Sequence, residues 1–289
     1  MQVRVEDRVL SVSNLDKVLY PQAGFTKGQV IDYYLRIAPV LLPHIAGRAM
    51  TMKRYPDGVG GEYFYEKHAP AHRPDWVVTA RIDSPSSAKA SKMVTHVVVD
   101  GLPTLIWLAN LACLELHTPM WRVPDVGQPD RLMFDLDPGA PASVVECCQV
   151  ALLLRPLLAE RGLEAVAKTS GGKGLQLTTA LSGHTSEQAS ELARGLAEQL
   201  EREHRGLVVS RMIKAIRPGK VLIDWSQNNA KKTTVAPYSL RAMAEPTVST
   251  PLTWDEVGAC ERAQDLVFTS DDVLARVERL GDLQAPLLG

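Results

Sequence analysis

Cysteine is scarce in this 289-residue chain, and its four copies (Cys113, Cys147, Cys148, Cys260) show no C-x-x-C spacing. A disulfide framework and a cysteine zinc site are thereby excluded, and a reducing compartment is expected. No uninterrupted apolar run approaches the ~18 residues of a spanning helix, so no membrane partner is expected. The opening MQVRVEDRVL carries charge throughout and lacks the apolar stretch of a secretory signal, so a soluble, intracellular protein is expected. Internal repeats and low-complexity tracts are lacking too. Net charge is almost absent, with 32 Lys plus Arg against 33 Asp plus Glu. That excludes a uniformly basic coat but not a nucleic-acid binder, because the charge is segregated. From His204 to Ala244 eight basic residues face a single acid, Asp224, whereas from Glu245 onward nine acids face three bases. The basic stripe is a candidate phosphate footprint.

What is present is an ordinary globular mix, 45% hydrophobic and 22% charged, with enough apolar side chain for a real core. Thr26 can cap a helix with an apolar face at Val30, Tyr33, Tyr34, Ile37 and Leu41. Arg131–Asp137 reads as a strand ended by Pro138 and Gly139. A helix is expected from Pro141 to near Gly162, with Val144, Val145, Cys148, Leu152 and Leu153 buried. Residues 164–169 and 175–179 are β-like runs flanking Ser170–Gly174, and Val221–Trp225 is a further short strand. Thr185 with Gln188 makes a capping box for a helix to about His204. Thr253 with Glu256, and Ser270 before Asp271, open two closing helices. Asp83–Ser91 reads as a flexible loop. The pattern is α+β, with mixed β-sheets flanked by helices, and no linker marks a boundary, so residues 1–289 are expected to form one domain.

Three constellations bear chemistry. Asp135 and Asp137 sit at positions i and i+2 of a strand, which puts both carboxylates on one side. Asp224 follows the apolar run Val221–Ile223. Three such carboxylates suit Mg²⁺ or Mn²⁺ in phosphoryl transfer; a solvated strand end is the plain alternative. The turn SGGKG (Ser170–Gly174) lets backbone N–H groups approach an anion, with Ser170 adding a hydroxyl and Lys173 a charge. It is not a Walker loop, because Gly174 stands where Ser or Thr is required; the plain alternative is a β-turn with an exposed lysine. Tyr63-Phe64-Tyr65 cannot all be buried on one strand, so at least one ring is expected to be exposed as a stacking platform; the alternative is one ring in the core and two half-buried. Lys17, Lys27, His117 and Arg241 carry nothing alone, His117 being read as a histidine after an apolar helix (Leu111–Leu116).

Taken in order, the segments NLDKVLYP, YFYEK, LANLACLELHTP, MFDLDPG, KTSGGKGLQL and AIRPGKVLIDWSQN through KTTVAPYSLRA resemble the archaeo-eukaryotic primase superfamily. They are most similar to the polymerase domain of bacterial ligase D and its stand-alone primase-polymerase relatives. The resemblance implies a primase-polymerase catalytic core, a bacterial cytoplasmic location, and template-directed addition of nucleotides, with a ribonucleotide preference. It implies two Mn²⁺ or Mg²⁺ ions on Asp135, Asp137 and Asp224, with Asp224 activating the primer 3′-hydroxyl. Ser170, Lys173 and Arg241 resemble the triphosphate-holding residues, and His117 the one that contacts the sugar and triphosphate. Phe64 and Tyr65 match a template-stacking pair, Lys17 and Lys27 a pocket for a recessed 5′-phosphate, and Arg217 and Gln227 the segments that handle primer and template. Asp83–His96 resembles a loop used in end synapsis. The implied partners are DNA with a gap, nick or overhang bearing a 5′-phosphate, nucleoside triphosphates (NTP or dNTP), a DNA ligase and an end-binding protein, in non-homologous end joining or excision repair. Gln176 departs from the pattern, standing where the superfamily commonly has histidine, and no K-x-D-G adenylation motif is present. A non-catalytic DNA-binding accessory and a phosphatase of the haloacid dehalogenase type remain as alternatives; Gly139 occupies the Thr or Val position that the latter requires.

Overall fold

The computed structural model describes residues 1–86 and 89–288, and their side chains apart from 84–86 and 89–92. The chain forms two compact units, each assembled from three runs of sequence. One comprises Met1–Pro119, Thr233–Thr247 and Thr269–Arg279; the other comprises Met120–Lys232, Val248–Phe268 and Leu280–Gly289.

The first unit is built on a four-stranded sheet in the order Thr234–Val235, Cys113–Thr118, Thr51–Arg54, Phe64–Glu66. Its main helix, Lys27–Ile45, starts where expected: Thr26 accepts from Gln29 N and Gln29 returns the bond in a capping box. Val30, Tyr33, Tyr34, Ile37 and Leu41 are all buried, as their 3.6-residue period requires. Leu111–Leu116 is not helical. The helix Leu102–Asn110 ends before it, Ala112 takes φ 56°, and a strand begins at Cys113. The alternation L-E-L-H from Leu114 to His117 has period 2, and the strand follows it. Asp83–Ser91 differs as well: its described residues lie in the paired strands Thr79–Ser86 and Lys89–Val97, and residues 87–88 fall outside the described set. Backbone pairing holds that ribbon, which composition does not reveal. The closing helix Ser270–Leu280 is capped by Thr269 rather than Ser270, the Thr269 hydroxyl accepting from Asp272 N at 3.5 Å.

The second unit is a six-stranded sheet in the order Val208–Val209, Val221–Asp224, Arg131–Pro138, Leu175–Ala180, Ala165–Thr169, Pro251–Leu252. All pairs are antiparallel except Val208–Val209 with Val221–Asp224, so the sheet is mixed as expected. Helices Val144–Ala159 and Ser186–Glu203 pack on it. Both carry capping boxes, from Ser143 with Glu146 and from Thr185 with Gln188. The first helix starts at Val144 rather than Pro141. Its buried residues are Val144, Cys147, Cys148, Val150, Ala151, Leu154 and Leu158; Val145 and Leu153 are only half-buried and Leu152 is exposed, because the i, i+3, i+4, i+7 stripe runs from Val144 through Cys147, Cys148 and Ala151. Strand alternation turns Leu132, Phe134, Leu136, Leu175, Leu177, Val221 and Ile223 into the core with these helices. Burying each such large side chain contributes on the order of 2 kcal/mol. The intervening residues, Asp135 and Asp137 among them, face the other side. Asn228 fixes the central strand by accepting from Met133 N and donating to Met133 O, both at 2.8 Å. All four cysteines are buried and free. Among the described residues no helix is long and apolar enough to cross a membrane.

Candidate active site

The face of the six-stranded sheet opposite its helices carries a polar row running across four strands. Register pairs Lys168 with Gln176, Gln176 with Asp135, and Asp135 with Asp224. Directly paired residues project to the same face, and Asp137 joins them from two positions along its strand. The sheet therefore brings Asp135, Asp137 and Asp224 to one face, across 89 residues of sequence. Asp135 is half-buried, and its carboxyl is pushed up to about 6, first by burial and then by the charges of Asp137 and Asp224, against a hydrogen bond from Gln176. Asp224 accepts at Oδ1 from Ser226 N at 3.0 Å and Ser226 Oγ at 2.5 Å, and at Oδ2 from Gln227 Nε2 at 2.9 Å. Lys232 Nζ lies 3.6 Å from the same Oδ2 and also donates to Ser226 Oγ. Among the described residues no three His, Cys, Asp or Glu side chains stand converged as a ready ion cage; the Asp224 oxygens are turned onto these neighbours. The donor chemistry nonetheless fits a hard divalent cation. All three ligands are carboxylates, and their mutual repulsion is what a cation would relieve.

The SGGKG turn joins two strands of this sheet. Ser170 N donates to Gly174 O at 2.9 Å, while Ser170 Oγ accepts from Gly172 N at 3.3 Å and Gly174 N at 3.1 Å. The serine hydroxyl thus organises the turn from within, and Lys173 is exposed. Gly174 is required by close approach: a Cβ there would collide with the Leu136 carbonyl oxygen, one residue from Asp135 and from Asp137. Gly139, just past Asp137, is similarly closed off by the Arg217 carbonyl oxygen. An open cavity of about 330 Å³ beside the turn is lined by Pro138, Ser143, Gly172, Lys173 and Gln264, among others. Arg217 is half-buried, donating to Met212 O at 2.9 Å. Gln227 is closer to the chemistry than its segment implied, since it bonds Asp224 directly.

The remaining candidates lie in the other unit. Its four-stranded sheet pairs Lys53 with both Tyr65 and Glu115, and His117 follows Glu115 on the same face. Glu115 Oε2 lies 2.9 Å from His117 Nε2 and 3.5 Å from Arg241 Nε, and Oε1 accepts from Lys53 Nζ at 3.4 Å. Burial opposes ionisation of Glu115, but the His117 hydrogen bond and the charges of Arg241 and Lys53 outweigh it and hold the carboxyl at about 2. For His117, burial is the largest influence and holds the imidazole below its ordinary value, although Glu115 pulls it upward. Because the Glu115 value is depressed on folding, its stabilisation is fully present above the unfolded carboxyl range and is lost only as pH falls toward 2. Glu115→Gln leaves two cationic groups, Lys53 and Arg241, beside a neutral amide, and a loss of ~3 kcal/mol in denaturant unfolding at pH 7 is expected. A loss below ~1 kcal/mol would show the cluster to be solvent-screened.

Tyr63, Phe64 and Tyr65 are all exposed, at 56%, 53% and 49%, more than the single exposed ring required. Tyr65 meets the His117 ring edge-on at 5.7 Å, and Lys53 Nζ lies 4.6 Å over the Tyr63 ring. Lys27 opens the helix Lys27–Ile45 and is buried. Its ammonium is held below the ordinary lysine range by burial and then by the charge of Lys17, which is itself exposed and paired with Asp57 at 2.8 Å. Sequence reasoning passed over Lys168, Ser226, Glu115 and Lys53, and counted Lys232 only as part of the basic stripe. Glu115 had a signal in its i, i+2 spacing to His117 on an alternating strand.

A sequence profile described as "LigD, primase-polymerase domain" matches residues 26–284. The chain belongs to this family. It is accordingly a nucleotidyltransferase domain of the primase-polymerase kind, and the phosphatase reading lapses. The family's chemistry is metal-dependent nucleotidyl transfer from nucleoside triphosphates. The chain is 46% identical over 279 residues to the "Multifunctional non-homologous end joining protein LigD" of Mycolicibacterium smegmatis, covering 96% of this chain and 36% of that protein. It is 31% identical over 274 residues to the "Bifunctional non-homologous end joining protein LigD" of Bacillus subtilis, covering 94% and 43%. The chain thus spans well under half the length of these curated relatives. Among solved structures, a "Polymerase Domain from Mycobacterium tuberculosis Ligase D in complex with DNA" superposes with a TM-score of 0.90 at 42% identity, covering 98% of this chain and 99% of that one.

Proposed function

We propose that the chain is a DNA-binding, template-directed polymerase that fills short gaps or extends ends during break repair, preferring ribonucleotides. The observation that carries this reading is the placing of Asp135, Asp137 and Asp224 on one open face beside the glycine-rich turn. Asp135, Asp137 and Asp224 would hold two divalent cations, Mn²⁺ or Mg²⁺, which when bound stabilise the attacking and leaving oxygens of an in-line displacement. The new bond joins the primer 3′-oxygen to the α-phosphorus, the bond to the β-phosphate bridging oxygen breaks, and pyrophosphate leaves. Asp224 orients the 3′-hydroxyl, as ligand or as base, while Gln227 and Ser226 hold the carboxylate. The Ser170 hydroxyl and the exposed Lys173 ammonium bind the triphosphate, at a turn whose Gly172 and Gly174 N–H groups are held by Ser170 Oγ. His117 and Arg241 are the residues that the family resemblance assigns to the sugar and phosphate of the nucleotide. Phe64 and Tyr65 stack on template bases, and Arg217 and Gln227 guide primer and template. A DNA ligase and an end-binding protein complete the pathway as partners.

Lys17 and Lys27, at the start of a helix with no acid in its first turn, form the pocket for a downstream 5′-phosphate. In the double variant Lys17→Ala, Lys27→Ala, the preference for a 5′-phosphorylated over a 5′-hydroxyl gap should fall from at least ~10-fold to about unity. Equal use of the two gaps by the unaltered protein would remove this pocket from the account. The deciding experiment is primer extension across a short gap bearing a downstream 5′-phosphate, with Mn²⁺, comparing ribo- and deoxyribonucleotides. Templated addition, faster with ribonucleotides, is expected. Tight binding to the same DNA without addition would leave a non-catalytic binder.

A further inference from the structure

The polar row ends in a lysine that the mechanism above leaves unused. Lys168 is 2% exposed, and its Nζ donates to Gln176 Oε1 at 2.5 Å and to Ser249 Oγ at 2.7 Å. Ser249 Oγ in turn donates to Thr169 O at 2.8 Å. Gln176 is also buried, and its Nε2 donates to Asp135 Oδ1 at 3.0 Å. Burying an ammonium costs several kcal/mol relative to an apolar side chain of that size, so its place in this row calls for a role.

The chemistry of the three groups gives one. An ammonium has donors only, a carboxylate has acceptors only, and an amide has one end of each kind. With Lys168 on one side and Asp135 on the other, the Gln176 amide satisfies both neighbours in a single orientation. Turned over, it would set N–H groups against an ammonium and an oxygen against a carboxylate. Lys168 therefore decides which end of Gln176 meets Asp135, although it stands two strands away. We propose that Lys168 and Gln176 form a positioning relay for Asp135: the ammonium locks the amide, and the amide N–H holds Oδ1 so that Oδ2 is left to bind a cation. This rests on the nucleotidyl-transfer reading.

The test uses the full chain with Gln176→Leu, Lys168→Met, the two combined, and Gln176→His. It measures primer extension, binding of Mn²⁺ alone by electron paramagnetic resonance, and thermal unfolding. With Gln176→Leu, kcat should fall at least ~10-fold with the nucleotide KM within about threefold, and Mn²⁺ affinity should weaken at least ~3-fold. Lys168→Met should lower kcat on its own but cost less than about twofold in the Gln176→Leu background, because its direct charge on Asp135 is a smaller influence than the Gln176 hydrogen bond it fixes. Gln176→His should recover kcat and Mn²⁺ binding to within about threefold, since a neutral imidazole can accept at one nitrogen and donate at the other. Wild-type kcat in Gln176→Leu, additive losses in the double variant, or a fall in unfolding temperature alone would each overturn the relay. An Asp137→Ala control separates the two failures. If the unaltered chain adds no nucleotide, the nucleotidyl-transfer reading is at fault; if Asp137→Ala extends primers, the carboxylate assignment is; if Asp137→Ala is inactive while Gln176→Leu is normal, only the relay is.

Discussion

Asp137→Ala should abolish templated nucleotide addition, lowering the rate by at least ~1,000-fold while DNA affinity stays within about threefold. Asp137 is exposed and contributes nothing to the core, so its removal leaves the sheet intact and isolates the chemistry. Asp135→Asn should be equally inactive but more stable. Its carboxyl is raised on folding to about 6, so its contribution to stability is fully present below the unfolded carboxylate value and declines as pH rises toward 6. At pH 7 the protein holds this acid ionised against burial and two like charges. A neutral amide of the same shape removes that strain, and a rise of roughly 3–6 °C in unfolding temperature is expected. Gap-filling assays and calorimetry on the same samples check both halves. Near-normal extension by either variant would end the carboxylate assignment, and a lower unfolding temperature in Asp135→Asn would show that the acids do not repel one another as placed.

Gly174→Ala should be severely damaging to the second unit. The added carbon meets a backbone oxygen rather than the end of a flexible side chain, so relief requires the strand or the turn to move. Overpacking of this kind costs ~3 kcal/mol. Because the displaced oxygen belongs to Leu136, the shift is passed to Asp135 and Asp137, and the nucleotide KM should rise at least ~10-fold as kcat falls. Gly195→Ala is the control. It lies in the helix Ser186–Glu203 with open space around it, and a small gain of ~0.5–1 kcal/mol is expected there. If the two substitutions behaved alike under denaturant, close approach at Gly174 would not be limiting.

Much of this site is legible in the sequence, for identifiable reasons. Period 2 in RLMFDLD places both acids on one side before any partner strand is known, and Thr26, Thr185 and Thr253 announce helix starts through local bonds alone. Register is what the sequence withholds. Nothing in KTSGGKGLQL says that Lys168 will lie beside Gln176, or that Gln176 will lie beside an acid more than forty residues earlier. His117 shows the same limit, since a short apolar run fits a helix or a buried strand, and pairing with Thr51 decides for the strand. The two units cross the chain several times, and each crossing is too short to show as a change of composition.

The same register gives the acids a task before any substrate arrives. If Arg131–Pro138 slid by one position against its neighbours, Asp135 and Asp137 would turn toward the helices, into space now filled by Phe134 and Leu136. Each carboxylate would lose its water with no cation to replace it, at several kcal/mol apiece. Misaligned pairings are thereby rejected during folding, and the alignment that survives is the one that keeps the three acids on the face away from the helices. The side chains that serve catalysis also proofread the sheet that presents them.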